Sequence, residues 1–262
     1  MRMTRRLSLV VILVVALLAP PLVAAPAHSA DRQYDLQILL LGNSLSRGIK
    51  KPLESMFEAE GHTPFIKAVT PSVANLEFHV QSKRTAKYIN DPEHDWDVVF
   101  LQDRSTGISE ANGGYDATRQ LYQKIRPTGA RIVMFQTWRE RTVPTSSLVW
   151  DLLKGEPGGT IGYVPIAYEL GIGVAPVGWA VREARIQIGT PPPYDLWKGG
   201  KGRHLSSIGD YLAACVVYSV VTGESSRGVW APDKLPVQSA DVLQIIADQI
   251  VLGNAATWNL NN

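Results

Sequence analysis

Residues 35–46 read Asp35-Leu36-Gln37-Ile38-Leu39-Leu40-Leu41-Gly42-Asn43-Ser44-Leu45-Ser46. The stretch up to Leu41 is apolar, short and of strand length, and Gly42 closes it. Ile49 to Ala59 then shows helical spacing, with Leu53, Met56 and Phe57 on one side and Gly61 as a stop. The tight turn between strand and helix carries a serine.

The same alternation continues outward. Phe65–Val69, Asp97–Leu101 and Arg131–Phe135 read as strands, the last two as strands buried on both faces, and Gly173–Val177 is a fifth candidate. Between them, Asn75–Tyr88, Tyr115–Ile125 and Trp179–Ile188 have helical spacing. Short helices are expected near 148–153 and 166–170 in the irregular Thr142–Leu170 stretch, and long ones at Ser206–Val221 and Ala240–Leu252. Doubly buried strands separated by helical crossovers predict a three-layer α/β/α sandwich around a mainly parallel, about five-stranded sheet. No linker or repeat divides residues 31–262, which are expected to form one domain.

The first thirty residues stand apart. Arg2, Arg5 and Arg6 precede an apolar run from Leu7 to Ala19, then Pro20-Pro21 and the small residues around Ala24–Ala30. This order predicts a cleavable secretory signal, cut after Ala27 or Ala30, since a span needs about 20 apolar residues. A retained anchor is the alternative. Without residues 1–30 the chain holds 23 basic and 24 acidic residues, so the pI of 8.6 belongs to the precursor. Neither a nucleic-acid face nor a stable membrane anchor is expected. Cys215 is the only cysteine, so an intramolecular disulfide is impossible. Its apolar setting, Tyr211 to Tyr218, marks it as a small buried hydrophobe.

Ligands of open parallel sheets sit beyond the carboxyl ends of the strands. There Gly42-Asn43-Ser44-Leu45 puts a serine where a helix start offers free amide donors, with Gly42 permitting tight backbone geometry. No G-x-G-x-x-G, P-loop or G-x-S-x-G pattern is present. No H-E-x-x-H or Cys/His cluster is present either, so no metal and no cofactor is expected. A second signal is Gly202-Arg203-His204-Leu205-Ser206, a loop leading directly into the last long helix but one. His62 and His94 lie in polar loops and His79 in a helix, where surface or packing roles are expected.

His204, Ser206, Gly209 and Tyr211-Leu212-Ala213-Ala214 resemble the final block of SGNH (GDSL-like) hydrolases. Gly42-Asn43-Ser44-Leu45 is similar to the family's early serine block, and Trp96 to Gln102 to a third-strand block of some branches. The resemblance runs from about residue 36 to 223. It implies a flavodoxin-like fold and a serine esterase, with Ser44 as nucleophile and His204 as base. For the oxyanion hole it implies the Ser44 amide, a backbone N–H of Ser72 or Val73, and the Gln102 side chain, with Asn43 on the same turn.

Two departures bear on this. The family's acid stands three residues before the histidine, where this chain has Lys201. Asp195, or a main-chain carbonyl of residues 197–200, is then expected to orient His204; lost activity is the third reading. The family's second-strand glycine and third-strand asparagine are also replaced, by Pro71-Ser72-Val73-Ala74 and Gln102-Asp103-Arg104-Ser105. Trp138 and Trp197 are placed to line a cleft for sugar or aryl rings. The expected substrate is therefore a small-molecule or carbohydrate O-acyl ester. A non-catalytic glycan-binding protein and an O-acyltransferase are the alternatives.

Overall fold

Val98-Val99-Phe100-Leu101 is buried at every position, which requires a sheet covered on both faces. The computed structural model describes residues 32–189, 195–199 and 202–261. Its strands are β1 (Leu36–Leu41), β2 (Pro64–Val69), β3 (Val98–Leu101), β4 (Arg131–Phe135) and β5 (Gly173–Ala175). All neighbours pair in parallel, in the flavodoxin-like order β2-β1-β3-β4-β5.

The helices between and after the strands supply the two outer layers. One group is α1 (Lys50–Ala59), α7 (Val177–Ile188), α8 (Ser207–Thr222) and α9 (Val237–Val251), in which α8 touches the other three. The second group includes α2 (Leu76–Gln81), α3 (Lys83–Ile89), α4 (Gly114–Ile125), α5 (Val149–Lys154) and α6 (Tyr163–Leu170). The fold is an α/β/α sandwich. Eleven of the sixteen residues of α8 are buried, as befits a helix apolar almost all round. Cys215 lies among them, and burial pushes its thiol up to about 12. It is chemically quiet at neutral pH.

Two boundaries differ from the sequence reading. The single helix expected over 75–88 is two helices, because Ser82 takes an extended conformation (φ −74°, ψ 116°) and its hydroxyl accepts the Thr85 N–H at 3.2 Å. A serine competes with the helix by capping the next one. Val177, read as the end of the fifth strand, instead opens α7 directly after Pro176.

Crossovers run one way from β1 to β2 and the other way from β2 to β3. The switch falls between β1 and β3, so the loops after these two strands diverge and open a crevice. Ser44 follows β1 and Gln102 follows β3. The expected signal at residues 1–30 lies outside the described residues. From Gln33 onward the chain is one unit, and among the described residues no helix is long and apolar enough to cross a membrane.

Candidate active site

The turn after β1 is held from beneath. Gly42 N–H continues the ladder to the Val69 carbonyl at 3.2 Å. The next amide, Asn43 N–H, leaves the sheet and donates to Gln102 Oε1 at 2.9 Å. Ser46 Oγ donates to the same oxygen at 2.9 Å. Gly42 is required by this arrangement, since a Cβ there would stand 2.4 Å from Gln102 Oε1. The Asn43 side chain pins the turn sideways. Its Nδ2 donates to the Ala74 carbonyl at 2.8 Å, and its Oδ1 accepts Leu45 N–H at 3.0 Å. Asn43 is thus a buried tie between two loops.

A third support comes from His79, which is buried. Its Nε2 lies 2.8 Å from the Gly42 carbonyl and its Nδ1 2.9 Å from Thr85 Oγ1. A carbonyl only accepts, so Nε2 carries the proton and Nδ1 accepts from the threonine hydroxyl. Burial lowers the pKa of His79 and keeps it neutral. Sequence reasoning missed this role. The signal was a histidine within the apolar repeat of Leu76, His79 and Val80.

These contacts present Ser44 at the carboxyl edge of the sheet, where His204 meets it. The distance from Ser44 Oγ to His204 Nε2 is 3.0 Å, across 160 positions of sequence. The His204 loop is pinned on every side. Trp197 and Leu205 form an antiparallel bridge, Lys198 N–H donates to the His204 carbonyl at 2.8 Å, and Trp138 Nε1–H donates to the Arg203 carbonyl at 3.0 Å. Ser206 then caps α8, its hydroxyl accepting from Ile208 and Gly209 N–H while donating to the Asp195 carbonyl at 2.5 Å.

Asp195 is not at the imidazole. Its carboxylate accepts from Arg141 Nη1 at 3.0 Å and from Trp197 N–H at 3.1 Å, so it buckles the loop rather than orienting the ring. Among the described residues no acceptor meets His204 Nδ1, and the ring is exposed. Lys201 and the carbonyl of residue 200 lie outside the described residues.

Gln102 is not an oxyanion donor. Its Oε1 is fixed as acceptor by Asn43 N–H and Ser46 Oγ–H, and its Nε2 donates to the Asp103 carbonyl. The group is buried beneath the turn and lines neither cavity beside Ser44. The Ser72–Val73 segment fits the donor role better. Ala74 N–H bonds back to the Pro71 carbonyl at 3.3 Å, and Val73 stands at φ +57° in the third position of that turn. Such a turn favours glycine there, and a β-branched residue costs about 1–3 kcal/mol. The N–H groups of Ser44, Ser72 and Val73 have no acceptor among the described residues.

Two cavities flank the pair and share Ser44, Leu45, Arg203 and His204. One, of about 490 Å³, continues along Arg47, Gly48, Lys198 and Asp210. The other, of about 390 Å³, continues along Asn43, Val73, Arg104 and Glu140. Burial pushes the Asp210 carboxyl up to about 6, against the Lys198 ammonium that favours its charge. Trp138 and Trp197 line neither cavity. Both are core residues, each at most 2 % exposed.

Two solved structures share this fold. A DUF4886 family protein from Bacteroides uniformis matches with a TM-score of 0.64 and 23 % identity, over 83 % of this chain and 95 % of that one. The protein YxiM from Bacillus subtilis matches with a TM-score of 0.53 and 12 % identity, over 70 % of this chain and 55 % of that one. Neither a family model nor a curated protein sequence matches the chain. At these identities the likeness is one of fold, the flavodoxin-like sandwich.

Proposed function

We propose that the chain is a serine ester hydrolase working through a Ser44–His204 dyad. The observation that carries this reading is the 3.0 Å contact between Ser44 Oγ and His204 Nε2 at the topological switch point of the sheet. With the proton of neutral His204 on Nδ1, Nε2 takes the Ser44 proton as Oγ attacks the acyl carbonyl. The negative charge that develops on the carbonyl oxygen falls to main-chain donors, with Ser44 N–H and the Ser72–Val73 amides as the candidates. The imidazolium then protonates the leaving alcohol, and water, deprotonated by the same nitrogen, releases the acid from Ser44.

No carboxylate among the described residues supports Nδ1, so the exposed imidazole is oriented by its pinned loop and by solvent. A dyad of this kind is slower than a triad, in which altering the acid costs about 10⁴-fold. The missing acid also favours a second reading, a non-catalytic binding protein. Secretion, expected from residues 1–30, is part of the proposal, and the substrate is an O-acyl ester. Buried tryptophans remove the aromatic argument for carbohydrate.

Mass labelling with a fluorophosphonate and hydrolysis of 4-nitrophenyl acetate test the dyad. Wild type is expected to label at Ser44, and Ser44→Ala to lose both labelling and at least about 10²-fold of turnover with its unfolding transition intact. An unlabelled Ser44, or Ser44→Ala activity within about tenfold of wild type, rejects the hydrolase reading.

A further inference from the structure

We infer that the cavity along Asn43, Val73, Arg104 and Glu140 selects an ester that carries a carboxylate, bound by Arg104; the inference rests on the hydrolase reading for its ester, and on charge and geometry for its carboxylate. The side chains lining the two cavities include four cations, Arg47, Arg104, Lys198 and Arg203, against two carboxylates, Glu140 and Asp210. The chain from residue 31 onward is otherwise almost balanced, so the excess is local to Ser44.

Most of these charges are already engaged. Arg203 bonds Glu140 through two nitrogens at 3.1 and 3.0 Å. Arg47 is turned onto the Thr70 hydroxyl and carbonyl. Lys198 acts on Asp210 in the other cavity. Arg104 is the cation left in the cavity of Glu140: its charge acts on the buried Asp103 carboxyl, but among the described residues its guanidinium has no hydrogen-bond acceptor, and it is exposed in the same cavity as Ser44.

Its backbone, by contrast, is fixed from three directions. Arg104 N–H donates to Asp103 Oδ1 at 2.6 Å, and its carbonyl accepts from Gly107 N–H at 3.2 Å and Thr137 Oγ1 at 3.1 Å. A rigid base under an exposed guanidinium fork without a hydrogen-bond partner among the described residues is an arrangement for docking a planar oxyanion. Arg104, Arg203 and Glu140 together leave this cavity a net single positive charge, which matches a monoanionic carboxylate. A phosphate dianion would meet the Glu140 carboxylate with a single cation to offset two charges.

The carboxylate can sit on either part of the ester, and the probes separate these sources. 4-Acetoxybenzoate carries it on the alcohol, mono-4-nitrophenyl succinate on the acyl group, and 4-nitrophenyl acetate is the neutral reference. The expected result is that wild type prefers one charged ester over the neutral one in kcat/KM. Arg104→Ala should lower that charged-to-neutral ratio about 10- to 100-fold, mainly through KM, with Arg104→Lys recovering part of it. A ratio at or below one that Arg104→Ala leaves unchanged overturns the inference.

Calorimetry on the Ser44→Ala protein reads the subsite without turnover. Benzoate binding weakened about tenfold or more by Arg104→Ala, with benzamide unaffected, supports the subsite even if no ester is cleaved. Equal binding of benzoate and benzamide refutes it even if the dyad is active.

Discussion

Replacing Gln102 by leucine removes the one acceptor of Asn43 N–H among the described residues while keeping side-chain volume close. The orphaned amide is buried between strands β1 and β3, and leaving such a donor unpaired costs about 1–3 kcal/mol. Ser46 Oγ keeps a poorer partner in the Asn43 carbonyl at 3.4 Å, and the Asp103 carbonyl loses the Gln102 amide donor. The total is a loss of about 2–4 kcal/mol, a large share of the roughly 5–15 kcal/mol that holds a domain together. Activity should fall as well, since a nucleophile displaced by 1 Å can lose about 10²-fold. Urea unfolding followed by tryptophan fluorescence gives the first quantity, and hydrolysis of 4-nitrophenyl acetate the second. An oxyanion donor would behave differently. If Gln102→Leu keeps the wild-type unfolding midpoint and still loses 10²–10³ in kcat, the side chain acts on the transition state and the clamp reasoning is wrong.

Asp195→Ala should cost less than about tenfold in turnover, because its carboxylate is spent on Arg141 and Trp197 N–H; a loss above about 10³ would show that it reaches His204 in the working enzyme. Asp210→Asn should stabilise the protein at pH 7.5 and have almost no effect near pH 4. The folded pKa of about 6 lies above the ordinary 3.8, so the folded state holds the proton longer and stability falls as pH rises between these values. The two-unit gap sets a ceiling of about 3 kcal/mol, which partial exposure reduces to about 1–2. Urea midpoints of both proteins at the two pH values decide it, and an equal difference at both would refute the assignment.

The fold was legible because its signals are local. Each strand from 36 to 175 is a short apolar run, and each crossover has helical spacing, so the pattern of elements could be read one window at a time. Ser44 and His204 were legible for a related reason: each sits at a boundary between elements, where an uncommitted polar side chain is conspicuous. The failures at the site share the opposite cause. Whether the Gln102 amide faces the cleft or the underside of the turn depends on Asn43 N–H and Ser46 Oγ, 59 and 56 positions away. Asp195 was close enough in sequence to reach His204, but Arg141, 54 positions earlier, takes its carboxylate. Trp197 stands beside His204 in sequence and Trp138 just after the fourth strand, yet both turn inward, because burying a large ring outweighs displaying it. Ser82 broke an otherwise regular helical stripe through one local cap.

The 160 positions between Ser44 and His204 have a temporal meaning. A chain is made from its amino terminus, so the serine, its turn and the central strand exist long before the histidine that would arm it. The loop that carries His204 is anchored to Trp138 and Arg141, which follow the fourth strand, and to α8, which follows the loop. Until that last third of the chain docks, Ser44 is an ordinary alcohol on an unfinished sheet. On the proposed reading the dyad is thus latent throughout synthesis, and a nascent chain ending before α8 carries Ser44 without a docked His204 beside it.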